Sequence, residues 1–263
     1  MNILKKIIAH KYIEVSENKK RVSINELEKS PFMETEIISM KAHLLLKNKA
    51  GIIAEIKRQS PSKGIINPNA DIVKISKGYE TAGVSGISVL TDVDYFGGSN
   101  EDFKMVRKHN SCPMLRKDFI VDEYQILEAK AMGADIILLI AAGINSKKCF
   151  ALATFAKSLG LEILLEIHNE KEYHSHINQH VTLVGVNNRN LENFEVSTQI
   201  SKDLAEIIPS EFTKISESGI NKPETVLELQ KYGFEGFLMG EAFMKTKNPE
   251  VACQKFIHQI SKK

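Results

Sequence analysis

The sequence predicts an α/β fold: a closed parallel (βα)8 barrel carrying a helical N-terminal extension. Three features of the chain carry that prediction. Eight short apolar runs recur along it, amphipathic segments fill the gaps between them, and ionisable residues collect where the runs end. Each run is apolar at consecutive positions and not at alternate ones, the pattern of strands buried on both faces in a parallel sheet covered by helices.

In chain order, residues 2–15 and again 33–47 place apolar positions at helical spacing among lysines and polar residues, which predicts a helical extension over residues 1–48. Packing against its own barrel is the expected fate of that extension. The runs follow: IIAEIK (52–57), GISVL (86–90), PMLRK (113–117), DIILLI (135–140), LEILLEI (161–167), TLVGVN (182–187), TKISES (213–218) and GFLMG (236–240). Their starts lie 21 to 34 residues apart, room for one strand, one helix and two loops. Helical patterns occupy 71–83, 121–133, 148–160 and 222–233, each closing on a glycine just ahead of the next run. Pro223 and Pro249 stand where helices should begin, the position at which a missing N–H does least harm. A doubly wound open sheet is the alternative, but no GxGxxG follows the first run and no GxxxxGK[ST] occurs anywhere.

With 43% hydrophobic and 26% charged residues, 15 Gly and 7 Pro in 263 residues, the chain is neither disordered nor collagen-like. No Pro/Gly/Ser-rich linker divides it, so residues 1–263 read as one barrel domain. Thirty-five Lys and Arg against 33 Asp and Glu leave a net charge of +2, which gives no reason to expect a nucleic-acid partner. The longest apolar stretch, residues 136–144, falls well short of the roughly 20 needed to span a bilayer. Cys112, Cys149 and Cys253 form no CxxC or zinc spacing. The expectation is a soluble, cytoplasmic, monomeric protein whose cysteines pack and do not react.

Polar residues gather at the C-terminal ends of the runs: Glu55 and Lys57, Lys117, Glu166, Asn187 and Arg189, Glu217 and Ser218. In a parallel barrel those ends converge on one rim, so residues far apart in sequence meet around one pocket. Strand alternation puts Glu55 and Lys57 on the same side. A single such residue could equally be a surface ion pair, but ionisable groups at equivalent ends of five strands point to a site. Glu162, at the start of its run, reads instead as solvation of the opposite mouth or as a structural pair there. Gly219 and Gly240 follow the seventh and eighth runs, where exposed backbone N–H groups can take a phosphate. A phosphorylated small molecule is therefore the expected partner.

No metal site is predicted. His168, His174, His176 and His180 have no ligand spacing and sit in a polar stretch, so they read as surface residues, while His10, His43, His109 and His258 carry no partner signal.

The segments IIAEIKRQSPSKG (52–64), LRKDFIVDEYQI (115–126), LLEIHNEKE (164–172), GVNNRNLENFEV (185–196), ISESGI (215–220) and LMGEAFM (238–244) resemble, in order and spacing, those of the indole-3-glycerol phosphate synthase family. The likeness covers essentially the whole chain, with Asn190 and Glu241 at positions where the family also carries Asp and Ser. It implies a (βα)8 barrel in tryptophan biosynthesis that converts 1-(2-carboxyphenylamino)-1-deoxyribulose 5-phosphate to indole-3-glycerol phosphate, CO2 and water, with no cofactor and no metal. It further implies that Lys117 is the general acid of ring closure, that Glu166 moves protons in dehydration, and that Lys57 holds a substrate anion and orients its neighbour Glu55. By the same resemblance Ser60 lies in a loop that folds over the substrate, and Phe96, Phe119 and Leu138 wall the anthranilate ring. Asn187, Arg189 and Glu217 then contact sugar hydroxyls and carboxylates, and Ser218, Gly219, Gly240 and Glu241 form the phosphate cradle, with Glu241 contributing its backbone N–H and turning its carboxylate away. A sugar-phosphate isomerase barrel such as a phosphoribosyl-anthranilate isomerase would share the glycines but not the Glu55, Lys57, Lys117 and Glu166 set. A non-catalytic phosphometabolite-binding barrel would need no acid–base pair.

Overall fold

In a computed structural model describing residues 3–261, eight parallel strands close into a barrel. They are β1 (Ile52–Ile56), β2 (Gly86–Leu90), β3 (Met114–Lys117), β4 (Ile136–Ile140), β5 (Glu162–Ile167), β6 (Leu183–Asn187), β7 (Thr213–Glu217) and β8 (Phe234–Met239). Each strand pairs with its neighbours in sequence, and β8 returns to β1 with Leu238 opposite Ile53. The predicted runs match these strands within a residue except at the last, which begins at Phe234. A register shift between Phe234 and Gly236 lets that extra turn of chain pair with β7.

The two-sided burial that made the runs uniformly apolar has a simple basis. Along β1, Ile52, Ala54 and Ile56 face the helical layer, while Ile53 joins Leu115, Leu138, Leu164, Leu183, Ile215 and Leu238 in the barrel centre. The outer layer includes α4 (Ile72–Thr81), α5 (Asn100–His109), α6 (Glu123–Ala131), α7 (Ser146–Ser158), α8 (Glu170–His176), α9 (Gln199–Ala205), α10 (Pro223–Gln230) and α12 (Pro249–Ser261), with a short α11 (Glu241–Met244) after β8. Asp71, Asp122 and Asn145 cap the helices they precede by accepting backbone N–H bonds. Pro223 and Pro249 are the first residues of their helices, as expected.

The extension comprises α1 (Ile3–Arg21), α2 (Ile24–Leu27), a 3-10 turn at Pro31–Met33 and α3 (Met40–Leu44). Helix α1 is longer than the periodicity of 2–15 indicated. The helix expected over 33–47 is instead reduced to five residues, because residues 34–39 leave helical geometry to lay Ile38 N–H on Asp135 at 2.7 Å. The extension reaches both mouths of the barrel. At the N-terminal mouth Met40 and Leu44 complete the inner core, filling space that Gly86 and Gly236 leave by having no side chain. Glu162 accepts from Ser39 Oγ and from the N–H groups of Met40 and Lys41, so of the two roles open to it, solvation and structural pairing, it takes the structural one. At the opposite mouth Ile3, Leu4 and Ile7 of α1 lie against the cavity described next. Among the described residues no helix is long and apolar enough to cross a membrane.

Candidate active site

The C-terminal ends of the strands surround one deep cavity, and every residue singled out from the sequence lines it: Glu55, Lys57, Ser60, Phe96, Lys117, Phe119, Leu138, Glu166, Asn187, Arg189, Glu217, Ser218, Gly219, Gly240 and Glu241. Strand alternation explains the convergence. On β5, for example, Glu162, Leu164 and Glu166 all face inward, so the strand passes from structural anchor to core to site along one face.

Lys117 is at the centre. Its Nζ donates to Glu166 Oε2 at 2.9 Å and to Glu217 Oε2 at 2.8 Å, bridging β3 to β5 and β7. Burial opposes its charge, but the charges of Glu166, Glu217 and Glu55 outweigh burial and hold it cationic. The two carboxyls diverge. Burial pushes Glu166 up, yet Lys117 and then His168 bring it well below the usual carboxylate range, helped by Asn187, whose Nδ2 donates to Oε1 at 3.1 Å. Glu217 is pushed up to about 7, by burial first and by the charge of Glu166, against the pull of Lys117. Its Oε1 is buried with no hydrogen-bond partner among the described residues. Two carboxyls on one ammonium are thus split into a firm anion and a group able to hold a proton near neutrality.

Glu55 is buried at the end of β1 and accepts from Lys57 Nζ at 2.7 Å, so the pair does share a side. Beyond them, Gln59–Ser60 and Gly64–Ile65 pair as a small antiparallel hairpin carrying Ser60 and Lys63 over the rim. The apolar wall comprises Phe96 and Phe119, ring centroids 5.8 Å apart and inclined by 40°, with Leu138 from β4. Arg189 donates from its backbone to Asn187 Oδ1 at 3.0 Å and from its guanidinium to Phe194 O at 3.3 Å, which shapes the loop after β6.

Past β7, Ser218 and Gly219 both adopt left-handed backbone, with φ of 67° and 75°. Buried Asn188 holds this turn by donating to Ser218 O at 3.1 Å and Ser216 Oγ at 2.9 Å. Across from it Gly240 opens α11, whose first N–H groups have no partner within the helix. The Glu241 carboxylate sits 3.7 Å from both Lys63 Nζ and Arg189 Nη2, compensated by two cations on neighbouring loops.

Several contributors escaped sequence reasoning. Gly185 on β6 is one: a Cβ there would collide with Glu217 Oε1, so the missing side chain is what allows Glu217 its position. Lys11 of α1 is fully buried, with Nζ 2.8 Å from Glu14, 2.9 Å from Asp92 and 3.0 Å from Asp118. It ties the extension to the loops bearing Phe96 and Phe119. The histidines need correction. His168 is not a surface residue: its side chain is only 12% exposed, and it packs between Glu166 and Glu172 because the chain turns directly from β5 into α8. His176 bonds Ile144 O at 2.9 Å, and His10 lies 3.3 Å from Asp94, so both have partners. His174 is exposed. The three cysteines are buried free thiols, and burial pushes them up to about 12, 11 and 12 for Cys112, Cys149 and Cys253, far from reactive thiolates.

Comparison with known proteins bears on what such a cavity is for. The profile of the family described as indole-3-glycerol phosphate synthase matches residues 4–256. The indole-3-glycerol phosphate synthase of Bacteroides thetaiotaomicron is 45% identical over 259 residues, covering 98% of this chain and 99% of its own. The enzymes of that name from Bordetella pertussis and Polynucleobacter asymbioticus are each 39% identical, covering 97% and 95% of this chain and 99% and 97% of theirs. The matched span takes in α1 as well as all eight strands and the loops that form the cavity. With likeness of that extent on a barrel of this kind, the chain belongs to the indole-3-glycerol phosphate synthase family.

Proposed function

We propose that the chain catalyses the conversion of 1-(2-carboxyphenylamino)-1-deoxyribulose 5-phosphate to indole-3-glycerol phosphate, CO2 and water, as a carboxy-lyase of tryptophan biosynthesis. The observation that carries this reading is Lys117 held at 2.9 Å and 2.8 Å between Glu166 and Glu217, on the floor of a cavity with an aromatic wall.

The substrate brings two anions and an aromatic ring. Its phosphate suits the left-handed turn at Ser218 and Gly219 together with the N-terminus of α11, and its ring suits the Phe96, Phe119 and Leu138 wall. Lys57, paired with Glu55, is offered to the substrate carboxylate. Ring closure attacks the C2′ carbonyl and builds negative charge on its oxygen. Lys117 stabilises that charge as a cation, then gives up a proton because an alkoxide is a far stronger base than an amine. CO2 leaves with its bonding pair returning to the ring. Dehydration then passes a proton from the ring system to Glu166, which is ionised and free to take it, and loses the hydroxyl as water with the proton that Glu217 holds; Glu166 afterwards returns its proton to the Lys117 amine, and Glu217 is recharged from solvent. Ser60 and the hairpin bearing it exclude water while the ring closes.

We read the protein as a cytoplasmic monomer acting on this small molecule. Its thiols are all free, and exposed large apolar side chains are spread over several elements, among them Ile13 on α1, Ile65 on the hairpin, Met105 on α5 and Phe150 on α7. The test of the function is direct. Purified full-length protein is mixed with the carboxyphenylamino-deoxyribulose phosphate in the presence of a chelator, and indole fluorescence is followed against a protein that contains no Trp. Indole-3-glycerol phosphate and CO2 should appear in equal amounts; their absence from active-fold protein refutes the assignment.

A further inference from the structure

We propose that His168, anchored by Glu172, is a positioning residue for Glu166, standing behind the carboxylate to orient it and to set how readily it takes up a proton. The proposal rests on the reading of Glu166 given above. His168 follows β5 by one residue and, two positions after Glu166, falls on the same side of the chain. Glu172 Oε2 accepts the His168 backbone N–H at 2.8 Å and lies 3.1 Å from Nδ1. An acceptor at that distance places the ring proton on Nδ1 and turns Nε2 the other way.

There Nε2 is 3.8 Å from Glu166 Oε1, shut off from solvent and without a hydrogen-bond partner among the described residues. His168 does not line the cavity, and the cavity carboxylate closest to its Nε2 is Glu166. A buried ring nitrogen with nothing to bond is costly, and a carboxylate is what it faces. With the imidazole neutral, a lone pair points at an anion and the two repel. With the imidazole protonated, an N–H points at the same anion and the two attract. Protonation of His168 and ionisation of Glu166 therefore support each other. Burial opposes the imidazolium, but Glu172 on α8, Glu166 on β5 and Glu217 on β7 outweigh it, while Lys117 on β3 holds Glu166 from the far side. Glu166 thus accepts from Lys117 at Oε2 and from Asn187 at Oε1, with the His168 ring 3.8 Å behind Oε1.

Two measurements test this, and the first needs no turnover, so its failure is separate from failure of the assigned reaction. Nitrogen-15 NMR of the full-length enzyme without substrate should find His168 titrating above the ordinary value of about 6.5, and moving down when Glu166 is replaced by Gln. A His168 that is neutral below pH 6, or that ignores Glu166→Gln, overturns the proposal. In the second, His168→Gln should leave KM within about threefold while the acid limb of the kcat profile moves up by about one pH unit, a tenfold loss on that limb. Glu172→Gln should move the limb the same way by less, which serves if His168→Gln folds poorly. A wild-type pH profile in both variants refutes the coupling.

Discussion

Replacing Lys11 with Met tests how the extension is fastened to the loops that carry Phe96 and Phe119. The substitution keeps the length of the side chain and removes its charge. Asp92 and Asp118, both essentially inaccessible, then lose a shared cation at 2.9 and 3.0 Å, whereas Glu14, with a quarter of its side chain exposed, can turn to water. Asp118 keeps Thr91 at 2.7 Å and Arg116 at 3.2 Å, but Asp92 keeps only the Tyr95 N–H at 2.8 Å. Breaking a buried pair from one side costs about 3–5 kcal/mol. For a chain of 263 residues, an unfolding entropy of about 2.1 cal/mol/K per residue converts this into a melting point lower by roughly 5–9 °C. Circular dichroism is the appropriate assay, since the chain has no Trp. The effect should depend on pH with a definite sign. Burial raises Asp118, but Lys11 and Arg116 bring it down to about 2 from 3.8, so its stabilisation is present above 3.8 and is lost as pH falls through 2. The gap between wild type and Lys11→Met should therefore be full at pH 7 and shrink between pH 4 and 2. A melting point within 1 °C of wild type at pH 7, or a gap that persists unchanged at pH 2, would refute the reasoning.

Other sites give sharper kinetic readouts. In Gly240→Ala the new Cβ would stand 2.6 Å from Glu55 Oε1, so kcat should fall at least about tenfold from displacement of that carboxylate; wild-type kcat would show that Glu55 is not needed where it stands. Glu217 is pushed up to about 7 from 4.5, so the folded state loses stability as pH rises from 4.5 through 7. Glu217→Gln should remove an inflection near neutrality from the kcat/KM profile and raise the melting point at pH 8 relative to pH 5, and an inflection that survives the substitution assigns it to another group.

What could be read from the chain and what could not divide along a physical line. The eight strands were legible because burial on both faces leaves few polar residues to interrupt a run, and the cavity was legible because a parallel barrel forces all strand ends to one rim. Lys117, Glu166 and Glu217 could thus be brought together although 100 positions separate the first from the last. Lys11 could not be read so. It sits in a lysine-rich amphipathic helix, and only the three-dimensional path of α1 reveals that this lysine points inward onto Asp92 and Asp118. Gly185 was hidden for a related reason, since nothing in LVGVN says that an inward hydrogen on β6 makes room for a carboxylate of β7. His168 was misread because the surrounding stretch is polar; its burial follows from how tightly α8 is turned back after β5, with Asn169 as the cap. The helix expected at 33–47 was interrupted by tertiary bonds to Asp135 and Glu162, which local periodicity does not contain.

The central claim is that Lys117 drives ring closure as cation and acid, and single-turnover kinetics of Lys117→Met at saturating substrate test it most directly. Met keeps much of the aliphatic stem but has neither charge nor proton, so ring closure should fall by more than the roughly 10²–10⁴-fold assigned to one proton transfer, while the substrate still binds. Ring closure near the wild-type rate at saturation, with only binding weakened, would contradict the account and leave Lys117 as an anchor for the substrate carboxylate.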